Sequence, residues 1–149
     1  MPQILLVEDN FAIGQGIKFY LEHVSEHKVT WINHGRDAQV VLSGVYEYDC
    51  ILLDLNLPGV QGLELLETLR AYNQSIPVIV VTANDFSDVR AQCAQAGATD
   101  FLAKPFEPAK LVERINACLS GSTGQSVSIN LWTVCKQKLS QYFQSKADS

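Results

Sequence analysis

The chain has 149 residues, 47% of them hydrophobic and 18% charged, which is the length of one ordinary globular domain and too short for a second full one. With 11 Lys+Arg against 16 Asp+Glu the net charge is -5, so the surface is not built mainly to track phosphate backbones or anionic lipid. The longest apolar runs, such as Ile4 to Val7 and Val78 to Val81, fall far short of the roughly 20 residues a transmembrane helix needs, and the N-terminus shows no basic region or small-residue cleavage site, so a soluble cytoplasmic protein is expected.

The first strand is predicted at Gln3 to Glu8. Ile13, Ile17, Tyr20, Leu21 and Val24 then form an apolar stripe at helical spacing, with Asn10 as its N-cap. Lys28 to Asn33 is the second strand; its tail, from Val29, alternates apolar with polar and suits a sheet edge. A helical stripe at Ala38 to Leu42 precedes the third strand, Asp49 to Leu55, and Pro58-Gly59 turns the chain into a helix over Leu63 to Leu69. Pro77 to Thr82 is the fourth strand, Val89 to Ala96 a helix closed by Gly97, Thr99 to Ala103 the fifth strand and Leu111 to Leu119 the last helix of the series.

The runs ending at Glu8, Asp54 and Thr82 are nearly continuously apolar, as parallel strands covered on both faces must be. Residues 1–119 therefore read as an α/β domain, a doubly wound five-stranded parallel sheet with helices on both faces. Residues 120–130 have the composition of a flexible linker. In the extension 131–149, Trp132, Cys135, Leu139 and Tyr142 mark one face of an amphipathic helix over Leu131 to Phe143, expected to pack on the domain or on a second copy. The charge changes at the same place: residues 1–119 hold 8 Lys+Arg and 15 Asp+Glu, residues 120–149 hold 3 and 1.

Cys50, Cys93, Cys118 and Cys135 form no CxxC pair and read as small hydrophobes rather than zinc ligands or a redox dithiol. His23 and His27 stand four apart, the spacing of ligands on one helix face, but no carboxylate or cysteine completes a set and a structural reading is preferred.

In an open α/β sheet, ligands bind beyond the carboxyl ends of the strands. Those ends deliver Glu8 and Asp9, Asp54, Thr82, and Lys104 followed by Pro105. Three carboxylates in one small area repel one another unless a cation joins them. Mg²⁺ suits such a shallow oxygen cluster, with the backbone carbonyl of Asn56 as a further ligand. Lys104 then serves as a point charge for a transferred phosphoryl group, Thr82 as a neutral donor to one of its oxygens, and Asp54 as the acceptor carboxylate.

The segments ILLVED, CILLDLNLPGVQG, PVIVVTA and GATDFLAKPF stand in this order over residues 3 to about 119, and through them the chain resembles the receiver domains of two-component response regulators. The resemblance implies strand order 2-1-3-4-5 and phosphoryl transfer to Asp54 from a histidine kinase or phosphotransfer protein. It implies Mg²⁺ held by Asp9 and Asp54 directly and by Glu8 through water, phosphate oxygens held by Lys104 and Thr82, and a cis Lys104-Pro105 bond. It also implies a switch coupling Thr82 to Phe101, where Phe replaces the Tyr of many members, so the outward hydrogen bond of that Tyr is lost and packing alone remains.

The family's common dimer face is its fourth helix, fifth strand and fifth helix. There Asp100 and Arg114 are placed to pair, while Lys110 stands where many DNA-binding members carry an acid, the partner expected for Arg90. Asn56 and Asn84 flank the path of water to the phosphoryl group and leave its lifetime open.

Other functions fit less well. A flavin-binding protein of this fold class needs a Ser/Thr/Gly-rich loop after the first strand, where Glu8-Asp9-Asn10-Phe11 stands. An aspartyl-phosphate phosphatase places an Asp two residues after its nucleophile, where Asn56 stands. The chain is thus expected to be a phosphoacceptor signalling protein, not an enzyme with an external substrate; the alternative is a receiver-like interaction module that works without phosphorylation. No DNA-binding domain is encoded in these residues, and two readings stay open: a stand-alone receiver acting on a protein target, or the receiver part of a longer regulator with its own output domain.

Overall fold

Five parallel strands alternate with five helices in the computed structural model, which describes residues 2–43, 47–57, 60–83 and 87–120. The strands are β1 (Gln3–Val7), β2 (Lys28–Ile32), β3 (Cys50–Leu53), β4 (Val78–Thr82) and β5 (Asp100–Ala103). The helices are α1 (Phe11–His23), α2 (Gly35–Leu42), α3 (Gly62–Tyr72), α4 (Ser87–Ala96) and α5 (Pro108–Ser120). The sheet order is β2-β1-β3-β4-β5, every neighbouring pair parallel, as the strand patterns and the resemblance led one to expect.

Successive strand residues face opposite sides of a sheet, so a strand covered on both faces must be apolar at every position. β3 and β4 are buried throughout, and β1 is buried from Ile4 onward. The odd and even positions feed two cores. Leu5, Val7, Ile51, Leu53, Val78 and Val80 meet Leu65, Leu66 and Leu69 of α3 with Ala38 and Leu42 of α2. Ile4, Leu6, Leu52, Ile79 and Val81 meet Ile17 and Leu21 of α1 with Leu111 and Ile115 of α5. β2 forms one edge, with Lys28 and Thr30 exposed.

Local signals act where expected. Asn10 caps α1 through its side-chain oxygen, which accepts from the Ile13 N–H at 3.1 Å. Gly97 ends α4 with φ of 103°, a left-handed conformation that side chains with a Cβ resist. The Lys104-Pro105 peptide is cis. Pro58-Gly59, Asn84, the proposed linker beyond Ser120 and the helix over Leu131 to Phe143 lie outside the described residues.

The histidine pair does not share a helix face. α1 stops at His23, and His27 lies beyond it, buried. The Ser25 hydroxyl donates to the Leu21 carbonyl at 2.9 Å, so its oxygen is left to accept from His27 Nδ1 at 2.7 Å. Cys50 and Cys93 are buried and Cys118 half-buried, all free thiols.

Candidate functional site

The parallel ladder brings the polar residues that follow β1 and β3 side by side. Both strands end one residue before the chemistry, at Val7 and Leu53, yet the ladder continues: the Asp54 N–H donates to the Val7 carbonyl at 3.0 Å and the Glu8 N–H to the Ile32 carbonyl at 3.0 Å. Thr82 closes β4 and is wholly buried. Its carbonyl accepts from the Lys104 N–H at 2.9 Å, which ties the last strand end to its neighbour.

The Lys104 ammonium spans the cluster, 2.5 Å from Glu8 Oε1 and 3.0 Å from Asp54 Oδ2. The other Asp54 oxygen, Oδ1, accepts from the Asn56 N–H at 3.0 Å, a local turn that fixes the carboxylate. Glu8, Asp9 and Asp54 each offer a carboxylate oxygen, and these oxygens lie within 4.8 Å of one another. Glu8 and Asp54 are buried, whereas Asp9 is exposed to solvent.

The charge balance of this cluster is unfavourable. Burial, and then the neighbouring Asp54, hold the Glu8 carboxyl well above the usual carboxylate range, with Lys104 opposing them. Burial alone would lower Lys104, but its hydrogen bonds to Glu8 and Asp54 and their charges outweigh it, so Lys104 stays firmly protonated. Glu8 Oε2 is buried with no hydrogen-bond partner. An orphaned carboxylate oxygen beside two further carboxylates is a hard-oxygen donor set short of positive charge, and a divalent cation of the magnesium type fits that description.

Beside the cluster, Phe101 is buried on β5, and the Arg90 guanidinium lies over its ring, 4.8 Å from the centroid. Arg114 Nη1 pairs with Asp100 at 2.9 Å within the same chain, as the sequence suggested. An apolar groove of about 610 Å³ opens next to Lys104, lined by Ile13, Gly16 and Phe19 of α1 and by Pro105 and Phe106.

One participant escaped the sequence reading. The indole nitrogen of Trp31, on β2, donates to the Glu8 carbonyl at 2.8 Å. Its only sequence signal was a large aromatic on an edge strand opposite a helix that carries glycine at position 14.

Comparison with known proteins agrees with this geometry. Residues 4–116 match the family model of the response regulator receiver domain. The chain is 36% identical over 127 residues to the transcriptional regulatory protein QseB of Haemophilus influenzae, covering 85% of this chain and 57% of that protein. The chain thus spans about half the length of the curated relatives it matches. Among solved structures, the receiver domain of the Francisella response regulator 1452 superposes with a TM-score of 0.75 at 29% identity, covering 83% of this chain and 100% of that one. The receiver domain of a Pseudomonas aeruginosa sensor histidine kinase, solved with magnesium coordinated in its active site cleft, gives 0.70 at 33% identity over 80% and 98% of the two chains. On its sequence, its fold and its cluster of strand-end residues, the chain belongs to the response regulator receiver domain family of two-component signalling.

Proposed function

We propose that Asp54 accepts a phosphoryl group from a phosphohistidine on a histidine kinase or phosphotransfer protein, and that the receiver then changes shape to control a protein target or an output domain. The observation that carries this reading is the convergence of Glu8, Asp9 and Asp54 on one another, with Lys104 bound to two of them. A carboxylate oxygen of Asp54 attacks phosphorus, the O–P bond forms as the N–P bond breaks, and the departing imidazole takes a proton from solvent. Lys104, already at Asp54, follows the charge onto the phosphoryl oxygens, and the Thr82 hydroxyl donates to one of them.

Asp9, Asp54 and the Asn56 carbonyl would hold Mg²⁺, with Glu8 assisting through water. When bound, the ion supplies positive charge that screens the approach of one anion to another. The groove beside Lys104, with Phe19 exposed at its rim, is a suitable seat for the phosphodonor protein. Thr82 and Phe101 are the switch pair: movement of Thr82 toward the phosphoryl group frees space at β4, and Phe101 repacks beneath Arg90. α4, β5 and α5 are the surface for a homodimer. On sequence pattern we assign residues 1–119 to the receiver, 120–130 to a linker and 131–149 to an extension.

Intact mass after incubation with acetyl phosphate, with and without Mg²⁺, tests the reading. One phosphoryl adduct, dependent on Mg²⁺ and absent in Asp54→Asn, is expected. A folded protein that takes up no adduct would favour an interaction module that works without phosphorylation.

A further inference from the structure

The backbone of Glu8 is held on both sides by two adjacent residues of β2. Its N–H donates to the Ile32 carbonyl at 3.0 Å, which is ordinary ladder pairing. Its carbonyl accepts from the indole nitrogen of Trp31 at 2.8 Å, a side-chain bond that no ladder requires. That carbonyl belongs to the peptide group joining Glu8 to Asp9, so the indole sets the plane of the bond that aims both acids. Asp9 itself is solvent-exposed, held between this peptide and Asn10, the N-cap of α1.

The indole is itself locked. It lies in the space left by Gly14 of α1, where a Cβ would overlap the six-membered ring of Trp31. The ring of Phe11, in the first turn of α1, tilts against it with centroids 5.6 Å apart. Trp31 thus bridges β2, the acidic loop and the start of α1, and the absence of a side chain at position 14 is what lets it reach.

We infer that Trp31 is a positioning residue for the acid cluster, holding the Glu8-Asp9 peptide in the orientation that lets both carboxylates meet a divalent cation. The inference rests on the cation-binding reading given above. A peptide free to rotate points Asp9 into many directions, and each binding event must then stop that rotation. Groups that orient metal ligands from behind act in this way, and removing them commonly weakens metal affinity by about 10- to 100-fold.

The test is calorimetric Mg²⁺ titration of the full chain and of Trp31→Phe, which keeps an aromatic side chain on β2 and removes the donor together with the part of the indole beside Gly14. Wild-type binding with about tenfold weaker binding by the variant is expected. The thermal midpoint of each protein without Mg²⁺ separates this from unfolding. Equal Mg²⁺ affinity in a folded variant overturns the positioning role and leaves the cation site standing; a wild-type protein that binds no Mg²⁺ overturns the cation reading, and the inference with it. A second measurement needs no change at Trp31. In a Trp132→Phe background, the one remaining indole N–H resonance is expected to shift with the calorimetric midpoint as Mg²⁺ is added, and a resonance that stays fixed through saturation overturns the inference.

Discussion

The Lys104 ammonium lies 3.0 Å from Asp54 Oδ2 while also touching Glu8, so one cation serves two buried carboxylates drawn from different strand ends. Removing one partner of a buried ionic group leaves uncompensated charge and costs about 3 kcal/mol or more. Lys104→Met is therefore expected to lose about 3 kcal/mol in urea unfolding without divalent ions. Mg²⁺ is expected to restore part of that loss and to raise the midpoint of the variant more than that of the wild type. An unchanged midpoint for Lys104→Met would contradict the electrostatic account of the cluster.

Asp54→Asn moves the balance the other way. It withdraws a carboxylate from beside Glu8, which burial and Asp54 together hold above the usual range. Lys104 keeps Glu8 as its partner. The cation-free protein is expected to gain on the order of 1 kcal/mol, because relief of a like-charge repulsion worth about 4 kcal/mol near a protein surface is largely offset by the lost attraction between Asp54 and Lys104. Mg²⁺ affinity is expected to fall in the same variant, so calorimetry and urea unfolding should move in opposite directions. Lower stability together with unchanged Mg²⁺ affinity would show that Asp54 is an ordinary structural carboxylate.

The two sides of the sheet were legible because their signal is local and repeated. Leu5, Val7, Ile51 and Leu53 alternate with Ile4, Leu6 and Leu52, and a strand without polar positions has only one place to go. The strand-end carboxylates were legible for the same reason, since strand direction dictates where they gather. What the sequence hid depends on the reach of single side chains across elements. Trp31 and Glu8 are 23 residues apart and on different strands, and no periodicity relates an indole to a backbone carbonyl. Arg90 rests over Phe101, a contact between α4 and β5 that no local periodicity announces. His27 carries the same lesson: its spacing from His23 suggested a helix face, but Glu26, with φ of 59°, turns the chain after α1 and sends His27 inward.

Two glycines of α1, two residues apart, should respond oppositely to the same substitution. A Cβ at Gly16 would meet nothing within 4 Å, and glycine inside a helix costs about 0.8–1.0 kcal/mol relative to alanine. Gly16→Ala is thus expected to stabilise by roughly that amount. At Gly14 the new methyl would overlap the Trp31 ring, which sits between α1 and the Glu8 carbonyl, so overpacking of about 1–3 kcal/mol is expected to exceed the helix gain. Urea midpoints of the two variants on either side of the wild type would support this. A stabilised Gly14→Ala would mean that the indole has room to retreat.

His27 gives the fold a dependence on mild acid. Burial lowers its affinity for a proton below the ordinary value of 6.5, with the side chain of Asn116 on α5 pulling the other way. The unfolded chain therefore binds more protons at this position than the folded one, and stability rises with pH where the two differ. The contribution is fully present above the unfolded value near 6.5 and is lost as pH falls below it, through the depressed folded value. His27→Gln keeps a polar group for Ser25 but cannot titrate, so the wild type is expected to lose more unfolding free energy than the variant between pH 7.5 and pH 5.5. Acidic groups that titrate in the same range act on both proteins and cancel in the difference. Parallel pH profiles would show that the buried imidazole accepts its proton without loss, and that the Ser25 and Asn116 contacts accommodate the charged ring as readily as the neutral one.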